Sequence, residues 1–319
     1  MNITAATDQD LPNMIELLRI SLGEGLIPKS ERMFRWKHVE NPFGGSKIML
    51  AKDQDQIIGL RAFMRWDWVN QHTHIRAVRA VDTATHPAHQ GKGIFKKLTL
   101  QAVGECTAEG VSLVFNSPNQ KSRPGYLKMG WKQIGKLPLH MGIGSILPMK
   151  YHEQRLFDQL LKLGASQNFD ELDSGWQVPL HDTFFQTRLD KQYLVWRYQH
   201  CPVFTYHTLI QPDLYGIVFR FRNWKGFSEL RICETWTCSP AGEKAAREVF
   251  KQLIRTTKPL FVSCAPTPDW TGKMSKPFGL PGSFFIGPIT TIRPLAMKNL
   301  HTFESFNNWK PSIGAMELF

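Results

Sequence analysis

The loop formed by residues 86–93 has the clearest capacity for chemistry in this sequence. It carries Gly91 and Gly93, follows a predicted strand over 75–85 and precedes a predicted helix over 94–109. Glycine lacks a Cβ atom, so the backbone can approach a ligand closely there. The first N–H groups of a helix lack intrahelical partners and lie at the positive end of its dipole. The pattern predicts a pyrophosphate-binding loop, although an ordinary glycine turn before a helix would look the same.

The hydrophobic pattern over positions 1–137 predicts the elements that position this loop. Apolar residues at helical spacing predict helices, and short apolar runs bounded by turn residues predict strands. The predicted order is strand 1–7, a helix ended by Gly23 and Gly25, helix 30–37, strands 47–52, 57–69 and 75–85, the loop, helix 94–109, strand 111–115, helix 123–129 and a last strand opened by Gly130 and Trp131. The loop is therefore expected between the fourth strand and the third helix.

Length, charge and cysteine content limit the classes of function. At 319 residues the chain is long enough for two domains. Its net charge of +12 favours a phosphate-rich cofactor, nucleic acid or an acidic membrane surface, or serves solubility alone. The five cysteines lack zinc-binding spacing, which predicts reduced thiols in a cytoplasmic protein without a metal. The sequence shows neither a signal-peptide pattern nor an apolar run long enough to span a membrane.

An internal repeat relates the two halves of the chain at one constant offset, by which position 34 corresponds to position 194. The matched pairs are Phe34 with Leu194, Trp36 with Trp196, Lys37 with Arg197, Pro42 with Pro202, Met49 with Leu209, Leu50 with Ile210, Asp53 with Asp213, Ile57 with Ile217 and Ile58 with Val218. Matches on one ungapped diagonal favour two copies of a helix–turn–hairpin unit over two unrelated hairpins. We interpret Trp196 and Arg197 as packing residues.

Residues 90–95, Gln-Gly-Lys-Gly-Ile-Phe, resemble motif A of the GNAT N-acetyltransferases, commonly written Arg/Gln-x-x-Gly-x-Gly/Ala. Gln90 and Gly93 fit this pattern, whereas Phe95 stands where a small residue is usual. Downstream, the order Asn119, Tyr126, Lys128, Gly130, Trp131 resembles the family's Asn…Tyr-x-Lys-x-Gly-Phe/Trp segment. The resemblance covers most of residues 1–137, and the ordered pair of motifs is more specific than either motif alone.

The resemblance implies an α/β fold of the α+β kind, with two GNAT-like domains that each contain a mixed, mostly antiparallel twisted sheet flanked by helices. It implies that acetyl-CoA binds to the first domain, with pantetheine in a gap between strands four and five. The implied contacts are Val81, Thr83, Thr85, Gln90, Gly91, Lys92, Gly93, Ile94, Phe95, Lys96 and Asn119. Lys97 is an alternative to Lys96 for the remaining phosphate, and Asn119 could instead shape its own loop.

The resemblance also implies direct acyl transfer, in which an amine loses a proton and the CoA thiolate gains one. Tyr126 is the implied acid, and its alternative role is to close the core. Asp82 and His86 are the candidate bases. Asp82 could instead pair with Arg76 or Arg79. His86 could instead cap a turn, and a chain of water molecules could replace both residues.

The second half repeats the order of a GNAT core with a changed loop. Its predicted elements are strand 230–237, helix 241–257 and strand 260–263. The turn between the first two has one glycine, lacks the Gln-x-x-Gly pattern and is followed by Glu243. We therefore predict a degenerate copy that does not bind CoA. The predicted domains are 1–145 and 170–319, with a helix-containing linker over 146–169.

The sequence predicts an acyltransferase that moves an acetyl group from acetyl-CoA to the primary amine of a small acceptor, such as an amino sugar or an amino acid. Transferases of the peptidoglycan-bridge type, which use aminoacyl-tRNA, also resemble tandem GNAT folds, and the positive charge suits that nucleic-acid partner. That group usually lacks an intact CoA loop, so this alternative is not favoured. A non-catalytic protein that binds CoA as a ligand is the other alternative.

Overall fold

The chain folds around two β-sheets, which the computed structural model describes over residues 1–23, 25, 27–265, 287–297 and 300–316. The first domain comprises Met1–Gly135 and Pro288–Ser305, and the second comprises Lys136–Gly287 and Phe306–Leu318. Helices flank both sheets, which confirms the predicted α/β fold class.

The secondary-structure elements have the following bounds. The strands are β1 (Asn2–Ala5), β2 (Lys47–Asp53), β3 (Gln56–Val69), β4 (His74–Thr85), β5 (Leu113–Asn116), β6 (Lys132–Lys136), β7 (His140–Ile143), β8 (Gln186–Thr187), β9 (His207–Gln211), β10 (Tyr215–Trp224), β11 (Phe227–Thr237), β12 (Phe261–Cys264) and β13 (Ile289–Pro294). The helices are α1 (Leu11–Leu22), α2 (Glu31–His38), α3 (Ile94–Ala108), α4 (Arg123–Lys128), α5 (Glu153–Lys162), α6 (Lys191–Leu194), α7 (Pro240–Thr257) and α8 (Ile313–Met316). A π-helical turn at Val195–Gln199 extends α6.

The sheet of the first domain follows the order β1-β2-β3-β4-β5-β13-β6. β1 to β4 pair antiparallel, β4 pairs parallel with β5, and β13 pairs antiparallel with β5. Successive strand side chains face opposite sides of a sheet. Leu50 of β2 therefore packs with α1 and α2, whereas Met49 and Ala51 pack with α3. The loop at 86–93 continues directly from β4 and leads into α3.

The sheet of the second domain follows the order β7-β12-β11-β10-β9. β11 and β12 pair parallel, and the other neighbours pair antiparallel. Its apolar core combines Leu160 of α5 and Phe250 of α7 with Ile217 of β10. The succession β11, α7 and β12 follows the predicted order of strand, helix and strand.

The internal repeat corresponds to matching elements in the two sheets. β2 begins at Lys47 and β9 begins at His207, which preserves the offset of the repeat. Trp36 lies in α2, and its match Trp196 lies in the π-helical turn after α6. Both tryptophans are buried, as expected for packing residues.

The domain bounds in the structure differ from the predicted 1–145, 146–169 and 170–319. α5, which we assigned to a linker, buries Leu160 in the core of the second domain. β13, from the last part of the chain, pairs with β5 in the first sheet. Both differences come from contacts between distant segments, which a reading of neighbouring residues does not detect.

Candidate functional site

A cleft opens in the first sheet where β4 and β5 separate. The two parallel strands pair only over residues 77–79 and 113–115. β4 then continues to Thr85, whereas β5 ends at Asn116, so the described strands leave the last part of β4 unpaired on that side. The cleft has a volume of about 650 Å³, which is in the range of small-molecule and cofactor sites.

Most residues that the resemblance implied line this cleft. They are Val81, Asp82, Thr83, Thr85, Gln90, Gly91, Gly93, Ile94, Phe95, Asn119 and Tyr126. Lys92 and Lys96 are exposed and His86 is half-buried, and the lining includes none of these three. Lys121 lines the cleft and was missed, although its place two residues after Asn119 could have indicated it.

The glycine loop presents open backbone to the cleft. Gly91 and Gly93 have φ values of +77° and +73°, which residues with a Cβ atom rarely adopt. A Cβ atom added at either position would meet no heavy atom within 4 Å. Gly93 immediately precedes α3, whose first N–H groups lack intrahelical partners. Open space beside free N–H groups at a helix start fits a pyrophosphate group.

Phe95, the departure from the family motif, faces a glycine on α4. A Cβ atom added to Gly125 would lie 3.0 Å from Cε1 of Phe95, so α4 approaches the ring closely because residue 125 is glycine. The ring of Phe95 also meets the ring of Tyr126 edge-on, with centroids 5.3 Å apart. The large side chain is therefore part of the packing that holds Tyr126.

Tyr126 is held between aromatic rings at the wall of the cleft. Its side chain is buried, and its ring centroid lies 5.1 Å from that of Trp131. The guanidinium carbon of Arg61 lies 5.3 Å from the Tyr126 ring centroid. Such contacts restrict the orientation of the ring. Tyr126 therefore closes the core and also reaches the cleft, so both interpretations of this residue fit its position.

Arg61 is a fully buried cation beside the cleft that sequence reasoning missed. Nη1 donates to Oγ1 of Thr83 and, at 3.4 Å, to the carbonyl oxygen of Val81. Nε and Nη2 have no hydrogen-bond partner in the described part of the chain. Burial lowers the pKa of this guanidinium, against the opposing effects of Tyr126 and Asp82. An arginine inside the apolar run of β3 was the signal that could have revealed it.

Asp82 lies at a β-bulge, because the register between β3 and β4 skips this residue. Nζ of Lys37 lies 3.0 Å from its Oδ2, and Nε2 of His38 lies 2.8 Å from the same oxygen. Burial would raise the pKa of Asp82, but the Lys37 ammonium and the His38 ring outweigh it and hold this pKa well below its usual range. A carboxylate with so low a pKa has little affinity for protons, which favours an anchoring role over a general base.

The His38 ring links Asp82 to Ser46 through its two nitrogen atoms. Its Nδ1 lies 2.9 Å from Oγ of Ser46, and its ring is fully buried. Burial lowers the pKa of His38, against the opposing effect of Asp82, so the ring is neutral near pH 7. The neutral ring then donates from Nε2 to Asp82 and accepts from Ser46 at Nδ1. Arg76, which the sequence offered as an alternative partner of Asp82, instead donates to the carbonyl oxygen of Glu109 at 3.2 Å.

His86 and Asn119 both shape turns at the edges of the cleft. Nδ1 of His86 accepts a hydrogen bond from the Ala88 backbone N–H at 3.3 Å. Oδ1 of Asn119 accepts from the Ser122 backbone N–H at 2.9 Å. These contacts fit a turn cap for His86 and a loop-shaping role for Asn119. The catalytic role of His86 and the cofactor-binding role of Asn119 stay predictions. Ser117, which lines the cleft, has a buried hydroxyl without a partner in the described part of the chain, so a ligand could satisfy it.

Neither a metal-binding cluster nor a membrane-crossing helix occurs among the described residues. No cluster of His, Cys, Asp and Glu side chains there could hold a metal ion. Over the same residues, every helix is too short or too polar to cross a membrane. The five cysteines are all free thiols.

The corresponding position in the second domain is much smaller, with a cavity of about 80 Å³ along residues 234–237 of β11. β11 and β12 pair over residues 229–231 of β11, and the register of β10 with β11 skips Cys233. Residues 238–239 alone separate β11 from α7. A Cβ atom added to Gly242 would lie 2.0 Å from the carbonyl oxygen of Leu214. The start of α7 is therefore packed against backbone, where α3 has open space.

The C-terminal segment of the chain packs on the end of β11. The hydroxyls of Ser312 and Tyr198 donate to Oε1 of Glu234 at 2.6 and 2.8 Å. Nε of Arg197 donates to the carbonyl oxygen of Gly314 at 3.2 Å. Burial raises the pKa of Glu234 to about 7, although these hydroxyls oppose it. This packing supports the prediction that the second copy does not bind CoA.

Comparisons with known proteins match part of the first domain to a family model and show that the whole chain has the fold of known structures. Residues 2–134 match the model of the acetyltransferase (GNAT) domain family. The chain is similar to a GCN5-related N-acetyltransferase from Anabaena variabilis, with a TM-score of 0.62 and 12% identity over 92% of this chain and 72% of that chain. It is similar to another from Kribbella flavida, with a TM-score of 0.61 and 12% identity over 92% and 71% of the two chains. A search of curated proteins found no match.

Proposed function

We propose that this chain, whose residues 2–134 belong to the GNAT acetyltransferase family, transfers an acetyl group from acetyl-CoA to the primary amine of a small acceptor. The cleft between β4 and β5, which ends on the open glycine loop at the start of α3, carries this proposal. An amino sugar or an amino acid is the proposed class of acceptor. The cytoplasmic location predicted from the sequence stays part of the proposal.

The proposed CoA site follows the cleft from the unpaired end of β4 to the glycine loop. Backbone groups of residues 81–85 would pair with the amides of pantetheine, as a neighbouring strand would. The glycine loop and the first N–H groups of α3 would hold the pyrophosphate. Lys121, which lines the cleft, is a further candidate for a phosphate contact beside Lys92 and Lys96.

Acetyl-CoA supplies a thioester, whose carbonyl carbon forms a bond with the amine nitrogen while its bond to sulfur breaks. The amine gives up one proton in this exchange, and the departing thiolate takes one up. Tyr126 is the proposed proton donor to sulfur. Its ring is packed between Phe95 and Trp131 at the cleft wall, so the hydroxyl needs little reorientation to act.

Asp82 has a positioning role in this proposal. Its contacts with Lys37 and His38 tie the bulge of β4 to α2 at the cleft wall. Its carboxylate carries a negative charge that would attract the ammonium group of an incoming acceptor. The proton of that ammonium would then leave to water, because the pKa of Asp82 is held well below its usual range.

Calorimetric titration with acetyl-CoA tests the site. Gly91→Val should weaken binding by about tenfold or more, because a branched side chain strains a positive φ and fills the open space. Gly164→Val is the matched control, since Gly164 in the second domain has a φ of +73° and also has no heavy atom within 4 Å of an added Cβ. The control should lose similar stability and keep the wild-type affinity. Failure of the wild-type protein to bind acetyl-CoA would refute the proposal.

Release of the CoA thiol then tests the reaction. The acceptor panel consists of amino sugars, amino acids, polyamines and lysine peptides, and we expect release with at least one small amine. Binding of acetyl-CoA without release for any amine would favour the non-catalytic alternative. Salt-sensitive binding of tRNA by a protein that ignores CoA would favour the aminoacyl-tRNA alternative.

A further inference from the structure

Three segments of the second domain meet at one end of its sheet. The segment after β7 is joined to the α7–β12 turn, because Met149 N–H donates to the carbonyl oxygen of Lys258 at 3.0 Å. It is joined to the β10–β11 hairpin turn by a 2.8 Å hydrogen bond from Tyr151 N–H to the carbonyl oxygen of Gly226. We call residues 143–151, 222–227 and 255–261 together the basic tip.

The basic tip exposes large apolar side chains. Ile146 is 92% exposed and Leu147 is 77% exposed, and they are neighbours in the chain. Ile143 and Trp224 are also exposed, at 46% and 39%. The ring of Trp224 packs on Phe261, whose register partner is Ile143, so these exposed side chains share one end of the sheet. Exposed aliphatic groups at a loop apex indicate a surface that docks on something apolar.

The charged side chains of the basic tip all have one sign. They are exposed cations, namely Lys150, Arg222, Lys225, Lys258 and Arg255. The three segments contain no aspartate or glutamate, and the nearest acids along the chain are Glu153, which begins α5, and Glu229 of β11, which lies 3.7 Å from Nη1 of Arg222. Nζ of Lys225 lies 5.2 Å from the Trp224 ring centroid, so the hairpin turn places an aromatic ring and a cation side by side.

We propose that the basic tip docks on an anionic lipid surface. Ile146 and Leu147 would enter the boundary between headgroups and acyl chains, and Trp224 would lie at the level of the headgroups. The surrounding lysines and arginines would face the anionic headgroups. A nucleic acid would use these cations but would leave the two aliphatic side chains in water. A symmetric contact between the tips of two copies would oppose cations with cations.

Vesicle flotation with the full-length protein tests this proposal. The vesicles are either pure phosphatidylcholine or a mixture of phosphatidylcholine with phosphatidylglycerol, each in low and in high salt. We expect the wild-type protein to bind the anionic vesicles about tenfold or more strongly than the neutral ones, and to lose most of that preference in high salt. Two double variants should each weaken binding by about tenfold or more. One removes the aliphatic side chains, Ile146→Ser with Leu147→Ser, and the other reverses two charges, Lys225→Glu with Lys258→Glu.

The matched control changes two exposed aliphatic side chains of the first domain, Ile20→Ser with Leu100→Ser. It removes the same kind of surface elsewhere and should bind anionic vesicles as the wild type does. Quenching of tryptophan fluorescence by brominated lipid gives a second readout, which should decrease in Trp224→Phe. Because Ile146, Leu147, Lys225 and Lys258 are exposed, the melting temperature should stay unchanged in the two double variants of the basic tip.

Two results would overturn the proposal. One is failure of the wild-type protein to float with anionic vesicles. The other is vesicle binding that the Ile146→Ser, Leu147→Ser variant retains in full. A dimer in solution that this variant abolishes, in a protein that does not bind vesicles, would assign the basic tip to a second copy of the chain.

Discussion

Each domain pairs a long strand with a parallel neighbour over only three residues, and the two domains differ in what lies beyond that pairing. In the first domain the end of β4 lines an open cleft. In the second domain the end of β11 carries Glu234, which accepts hydrogen bonds from Tyr198 and from Ser312 near the C-terminus. The same short parallel pairing therefore borders a candidate ligand site in the first sheet and a packed segment in the second.

The connection between strand and helix explains much of this difference. Residues 86–93 lie between β4 and α3, whereas residues 238–239 lie between β11 and α7. The longer loop leaves space beside Gly93, and the shorter one brings Gly242 against the backbone of Leu214. A helix start binds an anion only where its N–H groups face open space. Loop length at this point therefore separates the candidate cofactor site from a packed turn.

The prediction with the largest expected effect concerns whether catalysis takes place in the cleft of the first domain. Tyr126→Phe should lower kcat about 10²- to 10⁴-fold, because the transition state would lose its proposed proton donor. The matched change in the second domain is Tyr198→Phe, which removes a hydroxyl bonded to Glu234 and should lower stability by about 1–3 kcal/mol at unchanged kcat. Thiol-release kinetics and thermal unfolding measure the two quantities. Full turnover by Tyr126→Phe would remove this residue from the mechanism.

The second prediction concerns opposite pH dependences in the two domains. Burial raises the pKa of Glu234 from 4.5 to about 7, so the folded second domain binds this proton more tightly than the unfolded chain does. Its stability should therefore fall by roughly 3 kcal/mol as the pH rises from 4.5 through 7. Glu234→Gln should remove that dependence. Hydrogen exchange of β11 amides in wild type and variant measures it, and identical profiles would contradict the prediction.

The first domain should respond to pH in the opposite direction. Burial lowers the pKa of His38 below its ordinary 6.5, although Asp82 opposes this. A lowered pKa means that the folded domain loses stability as the pH falls from 6.5. Exchange of β4 amides in the same samples should therefore quicken on acidification, after correction for the intrinsic rate. A first domain that gains stability on acidification would contradict this expectation.

A third, smaller effect compares glycines near the starts of the two helices. Gly242→Ala should lower stability by about 1–3 kcal/mol and leave acetyl-CoA affinity unchanged, because the new Cβ meets the Leu214 carbonyl. Gly93→Ala should cost about 1 kcal/mol of stability for its positive φ and should also weaken acetyl-CoA binding. Thermal unfolding and calorimetric titration separate the two outcomes. If Gly242→Ala lost affinity for acetyl-CoA and Gly93→Ala did not, the cofactor would be assigned to the start of α7 and not to that of α3.

The smallest expected effect concerns Asp82. Asp82→Asn should lower kcat/KM by less than about tenfold, because a carboxylate held by Lys37 and His38 positions β4 and is not expected to accept the proton. Asp55→Asn, in the exposed turn before β3, is the control and should leave kcat/KM unchanged. A loss of about a hundredfold or more in Asp82→Asn would restore this residue as the general base.

The sequence by itself determined the local features of the first domain. The strand–loop–helix succession around residues 86–93 and the constant offset of the internal repeat were both readable without a structure. Each depends on residues that are close together in the chain, such as glycines before an amphipathic helix or a polar turn between two apolar runs. Backbone conformation follows such local patterns directly, because glycine and turn residues limit φ and ψ at their own positions.

The tertiary structure alone decided which distant side chains meet at the cleft. It placed Arg61 of β3 beside Tyr126 of α4, and it joined Lys37 and His38 of α2 to Asp82 of β4. It also inserted β13 between β5 and β6, and it packed the C-terminal segment onto β11. These contacts depend on which faces and edges are left to cover once the elements have formed. The pattern of neighbouring residues predicts an element and its apolar face, but the choice of partner is made by packing across the whole domain.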